Sequence, residues 1–371
     1  MFRLALVVIH RRMVGGAPMG STEKATFPAE GKVLVTGAAG LVGANLVRRL
    51  LSDGHEVRAM VLPGANNRGV DGLDVELVSA DLRDPEAVAQ AVEGCARVFH
   101  VGAKVSTVSP SAAGARVIWD TNVLGTRNVM QAALVRDVQR VVLTGSFSAI
   151  GFDPDDPARP AHEGMPFYPY TDWLPYARSK VLAEHETLKA VVDGLDAVIA
   201  VATGVLGPYD YLPSRQGRAF IDTAHGEMRA YIPGGSEFVS IADLIEGHML
   251  AMGRGRRGQR YLFSTSYLSL DDLLDLFCEV SGARRPRLRL PPRLIAGAAS
   301  LYSKPLARYF PNVSQRLTPG VVHILSMHRH GDCSKAEHEL GYRSTDMRAA
   351  VRETFEFFLR EGMIDRSRIR A

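Results

Sequence analysis

The segment from Lys32 to Gly43, KVLVTGAAGLVG, constrains this chain more than any other. Lys32-Val-Leu-Val-Thr36 reads as a buried strand, Gly37-Ala-Ala-Gly40-Leu-Val-Gly43 as a glycine-rich turn, and residues 44–53 as an amphipathic helix. That order suits a dinucleotide pyrophosphate. Backbone must come close to phosphate, and the helix N-terminus must offer free N–H groups. Side chains at Gly37, Gly40 and Gly43 would obstruct the turn, the approach or the helix–strand contact.

The same rhythm continues. Gly54 stops the first helix, and residues 56–61, 75–78, 97–101, 140–144 and 197–202 read as further strands. Helices are expected over 85–92, 118–135 and 176–192. Strands alternating with helices pair in parallel through right-handed crossovers, and strands apolar on both faces need helices on both sides of the sheet. The expected class is therefore α/β, a Rossmann-type doubly wound parallel sheet. After Gly207-Pro208 the rhythm breaks, and residues 209–237 are rich in Gly, Pro and Tyr without a clear period. Helices follow at 241–252, 269–281 and 347–361, with a short strand at 260–264; Ser269 and Asp272 fit a capping box. The expected organisation is an unstructured extension over 1–30, a dinucleotide-binding unit over 31–207, and a smaller mixed substrate lobe over 208–371. Part of that lobe, about 238–264, returns to the core.

Composition narrows the classes. Lys+Arg 44 against Asp+Glu 40 leaves +4, too near neutral to imply nucleic acid, and no aromatic residue interleaves the five arginines between Arg284 and Arg293. Those arginines, with the apolar residues 294–301 after them, read as a linker with a solvated face or as a weak peripheral contact with an anionic membrane. No stretch reaches the roughly 18 apolar residues of a spanning helix. Leu4–Ile9 is short and is followed, not preceded, by most of its positive charge, the reverse of a secretory signal; Met13 and Met19 offer later starts, and the fold is expected to begin near Gly31. Cys95, Cys278 and Cys333 match neither a disulfide framework nor a zinc spacing, which suits reduced thiols in the cytoplasm. His323, His328, His330, Cys333 and His338 cluster without a metal-ligand spacing and read as solvated surface, so no metal is expected. No Gly-x-Ser-x-Gly elbow is present, which argues against a serine hydrolase.

Tyr176-Ala-Arg-Ser-Lys180 opens a helix, and residues four apart share a helix face. A phenol near pKa ~10 is a poor base at neutral pH. A lysine ammonium one turn away favours the phenolate, so the tyrosine could exchange a proton with a substrate oxygen. Arg140-Val-Val-Leu-Thr144-Gly-Ser146-Phe-Ser148 ends a buried strand with several hydroxyls that could join it.

The Gly-x-x-Gly-x-x-Gly spacing after Thr36, with Tyr-x-x-x-Lys at the head of a late helix, resembles the short-chain dehydrogenase/reductase superfamily. Within its extended branch the chain is most similar to the group of dihydroflavonol-type reductases and 3β-hydroxysteroid-type dehydrogenases, over about Lys32 to Phe358. The resemblance implies Tyr176 as acid/base, Lys180 as the residue that tunes it and holds the ribose, and Ser146, five residues before Gly151, as the hydroxyl that polarises the substrate oxygen. Gly145 stands where the branch has its first hydroxyl, so Thr144 or Ser148 would assist. For the cofactor it implies Ala39, Leu41 and Val42 beside the three glycines, and Asp81-Leu82 at the adenine amine. Gly102-Ala103-Lys104 would border the ribose, Asn122 would be the branch's buried asparagine, and Thr203-Gly204-Val205 would lie under the nicotinamide.

Departures from the branch are Val201-Ala202 for its usual Arg-Pro, and Val61 and Leu62 at the positions that choose between NAD and NADP. Arg58 lies within the strand and Arg68 on a loop, so that choice stays open. The implied activity is an NAD(P)(H)-dependent ketoreductase or secondary-alcohol dehydrogenase. Its small, partly apolar or aromatic substrate is expected to face Tyr209, Tyr211, Phe220, Tyr231 and Phe238. Alternatives are a nucleotide-sugar epimerase with tightly held NAD and a non-catalytic NAD(P)-sensing protein. A sugar dehydratase is disfavoured by Phe147-Ser148, where that reaction places Asp-Glu. A homodimer through the 118 and 176 helices is the expected assembly.

Overall fold

Seven strands pair side by side at the centre of the molecule, the inner ones apolar on both faces and the edge strand β3 largely exposed. The structure, a computed structural model, describes residues 24–105, 112–153, 155–156, 159–168, 174–291 and 319–369. β1 (Lys32–Thr36), β2 (Val57–Val61), β3 (Glu76–Ser79), β4 (Cys95–His100), β5 (Arg140–Ser146) and β6 (Ala197–Ala202) are joined, after three strands that belong elsewhere, by β10 (Arg260–Phe263). Their order is β10-β6-β5-β4-β1-β2-β3, every neighbour parallel. The chain leaves β1 first toward β2 and β3, then returns to place β4 on the other side. That reversal opens a crevice above the C-terminal ends of β1 and β4, where such sheets bind ligands.

Alternation along each strand feeds two layers. Val33, Val35, Val57 and Ala59 pack against α1 (Leu41–Ser52) and, further along the chain, α7 (Ile241–Arg254). Leu34, Met60, Val98 and Val141 pack against α2 (Pro85–Val92) and two later helices, over Gly125–Val135 and Pro175–Val192. The helix expected over 118–135 begins earlier: α3 (Ala112–Trp119) runs through a π-turn (Asp120–Leu124) into α4 (Gly125–Val135). The widened turn, closed by Gly125 N–H to Asp120 O, leaves Asn122 buried. α5 (Pro175–Val192) starts with proline at its first position, where no N–H is needed.

The fold also starts earlier than Gly31: Ala25 and Phe27 are buried in the α1 layer, and the Phe27 ring stacks on His55 at 4.3 Å. Residues 209–237 hold structure that their irregular composition concealed. α6 (Arg215–Ala224) is capped by Ser214, whose Oγ accepts the Gly217 N–H at 3.1 Å. β7 (Gly204–Leu206), β9 (Gly235–Ser240) and β11 (Ser266–Ser269) form a three-stranded sheet, and β8 (Ala230–Tyr231) pairs with β12 (Leu288–Arg289). α8 (Leu270–Ser281) carries the expected Ser269–Asp272 capping box. The helices α9 (Pro319–Ser326), α10 (Ser334–Leu340) and α11 (Met347–Arg360) complete the described chain.

The lobe's core consumes three of the aromatic residues expected to face a substrate. Phe220 stacks on Phe277 at 4.2 Å, Phe238 lies against Gly204, and Tyr231 donates its hydroxyl to Asp271 at 2.6 Å. In the arginine run, Arg285 and Arg289 pair with Asp271 of α8, while Arg293 and residues 294–301 lie outside the described residues. Among the described residues, no helix is long and apolar enough to cross a membrane.

Candidate active site

The glycine turn sits at the sheet's reversal point. Gly37 has φ +65°, and a Cβ there would lie 2.6 Å from Gly102 Cα; a Cβ on Gly43 would lie 2.3 Å from Gly37 O. Both must be glycine for α1 to start where it does. α1 has Gly40 as N-cap and no side-chain cap, so the Leu41, Val42 and Gly43 N–H groups remain for an anion. A Cβ at Gly40 would meet only Gly37 O, at 3.4 Å, so one side of the turn is open to a phosphate. These features fit a dinucleotide pyrophosphate.

Other expected cofactor residues border the same crevice. Thr36 Oγ1 accepts the Val101 and Gly102 N–H groups at 3.2 and 3.0 Å and hydrogen-bonds His100 Nδ1 at 2.8 Å. His100 Nε2 continues to Thr126 Oγ1 at 3.0 Å, and full burial holds this imidazole neutral, its pKa pushed down to about 3. Leu82 is buried beside Gly102; Asp81 engages Arg83, which holds its carboxyl below the usual range. Asn122 pins the β4 loop, accepting the Lys104 N–H at 2.7 Å and donating to Lys104 O at 3.0 Å; Ala103 is half-buried and the Lys104 side chain is exposed. Gly69 lies directly on the Ala39 backbone, so the loop after β2 covers the turn. At the positions that choose the cofactor, Val61 is buried and Leu62 is exposed. Arg58 is paired with Glu76, and Arg68 with Glu361. Thr203, Gly204 and Val205 are partly buried where β6 passes into β7.

The structure brings Tyr176, Lys180 and Ser146 together. Tyr176 and Lys180 project one turn apart from α5, and the half-buried Tyr176 phenol faces Ser146 at the end of β5. Burial pushes Tyr176 up to about 12, with the Ser146 contact opposing it. Burial pushes Lys180 down to about 8, and its Nζ donates to Thr144 O at 2.9 Å. Thr144 therefore contributes its carbonyl; its hydroxyl is bonded to His248 Nε2 at 2.8 Å. Of the two hydroxyls expected to assist, that of Ser148 lies beside Ser146, Oγ to Oγ 2.8 Å. Ser179 donates to Tyr176 O at 2.8 Å and accepts from Asn122 at 2.9 Å, tying α5 to the π-turn.

Several residues here had no assigned part in the sequence reading. His248 anchors Thr144, Glu184 lies buried one turn beyond Lys180, and Arg329 lodges over the rings of Phe147, Phe152 and Tyr168 at 4.5, 5.8 and 6.0 Å. Only Glu184 had a legible signal, its helical spacing of four from Lys180. The His-rich segment is taken up by aromatic contacts. His323 bonds the Tyr168 hydroxyl at 3.2 Å, His328 the Tyr267 hydroxyl at 2.8 Å, and His330 stacks on Tyr267 at 4.0 Å. Cys333 is a half-buried thiol whose pKa burial raises to about 12.

A reversed parallel sheet, a glycine cradle at its switch point and a tyrosine–lysine–serine cluster beside it define a nicotinamide-dinucleotide oxidoreductase. Residues 33–262 match the NAD dependent epimerase/dehydratase family, and the chain belongs to it. It is 39% identical to sterol demethylase protein B of Methylococcus capsulatus over 331 residues, 89% of this chain and 99% of that protein. It is 31% identical to a putative dihydroflavonol 4-reductase of Synechocystis over 337 residues, 89% of this chain and 95% of that protein. The crystal structure of gox2253 superposes with a TM-score of 0.76 at 32% identity, covering 90% of this chain and 99% of that one.

Proposed function

We propose that this enzyme interconverts a ketone and a secondary alcohol on an apolar, ring-bearing small molecule. The observation that carries the reading is the Tyr176 phenol facing Ser146, one helical turn from the buried Lys180. In the reducing direction the phenol gives its proton to the substrate oxygen as that oxygen gains charge. Ser146 donates a hydrogen bond to the same oxygen, with Ser148 behind it. The Lys180 ammonium stabilises the phenolate left behind, and Thr144 O holds that ammonium in place. A bound nicotinamide supplies the hydride or accepts it. The glycine turn and the uncapped start of α1 would hold its pyrophosphate, with Asp81 toward adenine, the Gly102–Lys104 loop along a ribose, and Thr203–Val205 beneath the nicotinamide.

The substrate class rests on the relatives named for sterol demethylation and dihydroflavonol reduction. Two copies joined through α4 and α5 are the expected assembly, supported by exposed Val117, Val135 and Val192 on α3, α4 and α5. Three cysteines without a disulfide support the reducing cytoplasm as its compartment. Purified protein is mixed with NADH or NADPH and a panel of fused-ring ketones and nucleotide sugars, and absorbance is followed at the nicotinamide band. Oxidation of one cofactor by the ketones is the expected outcome. Turnover of nucleotide sugars alone, without net cofactor consumption, would replace this reading with epimerisation.

A further inference from the structure

The face of α5 that carries Tyr176 and Lys180 carries a third polar group that the proposed chemistry leaves unused. The Glu184 side chain is 0% exposed, and neither carboxylate oxygen has a hydrogen-bond partner among the described residues. Such a group is costly to bury and calls for a compensating charge. Arg260 of β10 brings Nη1 to 3.5 Å from Glu184 Oε2. Arg260 is itself held by the carbonyls of Glu163 and Met165 and by the Phe167 ring, 4.6 Å away. On the other side a Cβ at Gly145 would lie 3.0 Å from Glu184 Oε1, and the Ser146 backbone N–H faces the carboxylate. Ile199 and Val201 of β6 border the same space with apolar methyls. The charges that act on Glu184 are Arg260 from β10 and Lys180 from its own helix. Beyond Arg260 lie Glu163, which accepts the Leu262 N–H at 2.6 Å, and Lys335, which donates to Arg260 O at 2.8 Å.

We propose that Glu184 is a positioning residue of the catalytic site: its carboxylate, buried 3.5 Å from Arg260 and one helical turn from Lys180, keeps Lys180 as the ammonium. This inference rests on the assignment of Tyr176, Lys180 and Ser146 above. A side chain at Gly145 would meet Ile199 at 2.8 Å and the carboxylate at 3.0 Å. The sign of the coupling follows from burial. Burial lowers Lys180 to about 8 and Glu184 opposes that fall, while burial raises Glu184 to about 7 against the pull of Arg260 and Lys180. Removing the carboxylate's charge leaves burial of Lys180 unopposed, so the lysine loses its proton at lower pH.

The test is a pH titration of the cofactor-free protein carrying ¹³Cε-lysine, with the Lys180 signal among the chain's seven lysines assigned from Lys180→Arg. In Glu184→Gln the Lys180 midpoint is expected to fall by about one unit, a roughly tenfold loss of ammonium at fixed pH above it. Glu184→Asp should return part of the shift. A midpoint in Glu184→Gln that coincides with wild type would overturn the proposal. Wild-type protein provides a check independent of any substitution: its Lys180 signal should show a second inflection near pH 7 as Glu184 titrates, and a single inflection would overturn the proposal as well. The lysine is read without substrate, so the two readings fail separately. Turnover that survives Tyr176→Phe removes the catalytic assignment, whereas an unmoved lysine titration removes only the part given to Glu184.

Discussion

Two hydroxyls lie 2.8 Å apart at the end of β5, one of them facing a phenol, and the proposed mechanism uses them unequally. Ser146 faces Tyr176; Ser148 hydrogen-bonds Ser146. Ser146→Ala is expected to lower kcat about 100-fold with little change in cofactor affinity. Ser148→Ala should cost roughly tenfold, the worth of one supporting hydrogen bond. Steady-state kinetics of the two variants checks the order. The pH dependence follows from Lys180. Its folded pKa is depressed to about 8, so the amine is charged below that pH and neutral above it, and ketone reduction should slow as pH rises through about 8. Tyr176, held near 12 before ligands bind, remains the acid throughout that range. Lys180→Arg, with a permanent charge, should run more slowly overall but lose this alkaline limb, which a pH–rate profile would show.

At the scale of elements, the π-turn holds two parts of the site in register. Asn122 satisfies both the N–H and the C=O of Lys104 and reaches Ser179 on the catalytic helix. Asn122→Ala strands these buried groups, so a loss of about 2–3 kcal/mol is expected, seen as a fall in Tm of about 3 °C and a higher KM for the nicotinamide cofactor. A merely peripheral asparagine would change neither. The glycine turn, the alternating strands and the Tyr176 helix were legible because apolar runs, glycine triplets and helical spacing each leave a local mark. The π-turn was not, because one extra residue in a turn hardly alters the apolar period of residues 112–135. α6 was hidden by glycines and prolines on either side, and its Ser214 cap was the available signal.

At the scale of the molecule, the glycine turn and the C-terminal lobe meet through α1. Arg48 donates to Gly69 O at 2.6 Å on the loop that covers the glycine turn, and its guanidinium lies 3.9 Å over the Tyr209 ring. Asn45 donates to Pro208 O at 2.9 Å, and Arg68 reaches Glu361 at 2.6 Å at the end of α11. Arg48→Ala should therefore weaken NADH binding several-fold and speed chymotryptic cleavage after Tyr209 and Tyr211. Protection of those sites by NADH in wild type but not in the variant would confirm that the two regions move together. The aromatic lining was the least legible feature at this scale. Phe220, Tyr231 and Phe238 have the same chemistry whether they fill a lobe core or face a cleft, and only the packed structure separates the two. Thr144 was ambiguous for a similar reason, since a strand-end hydroxyl does not reveal that a histidine 104 residues away has taken it.

Tyr176→Phe, assayed side by side for NADH binding by fluorescence and for turnover of a ketone that the wild type reduces, tests the assignment of the proton donor most directly. The expected result is unchanged NADH affinity with turnover reduced at least about 10³-fold, because only the phenolic proton has been removed. Turnover within a few-fold of wild type, with NADH still bound, would contradict it.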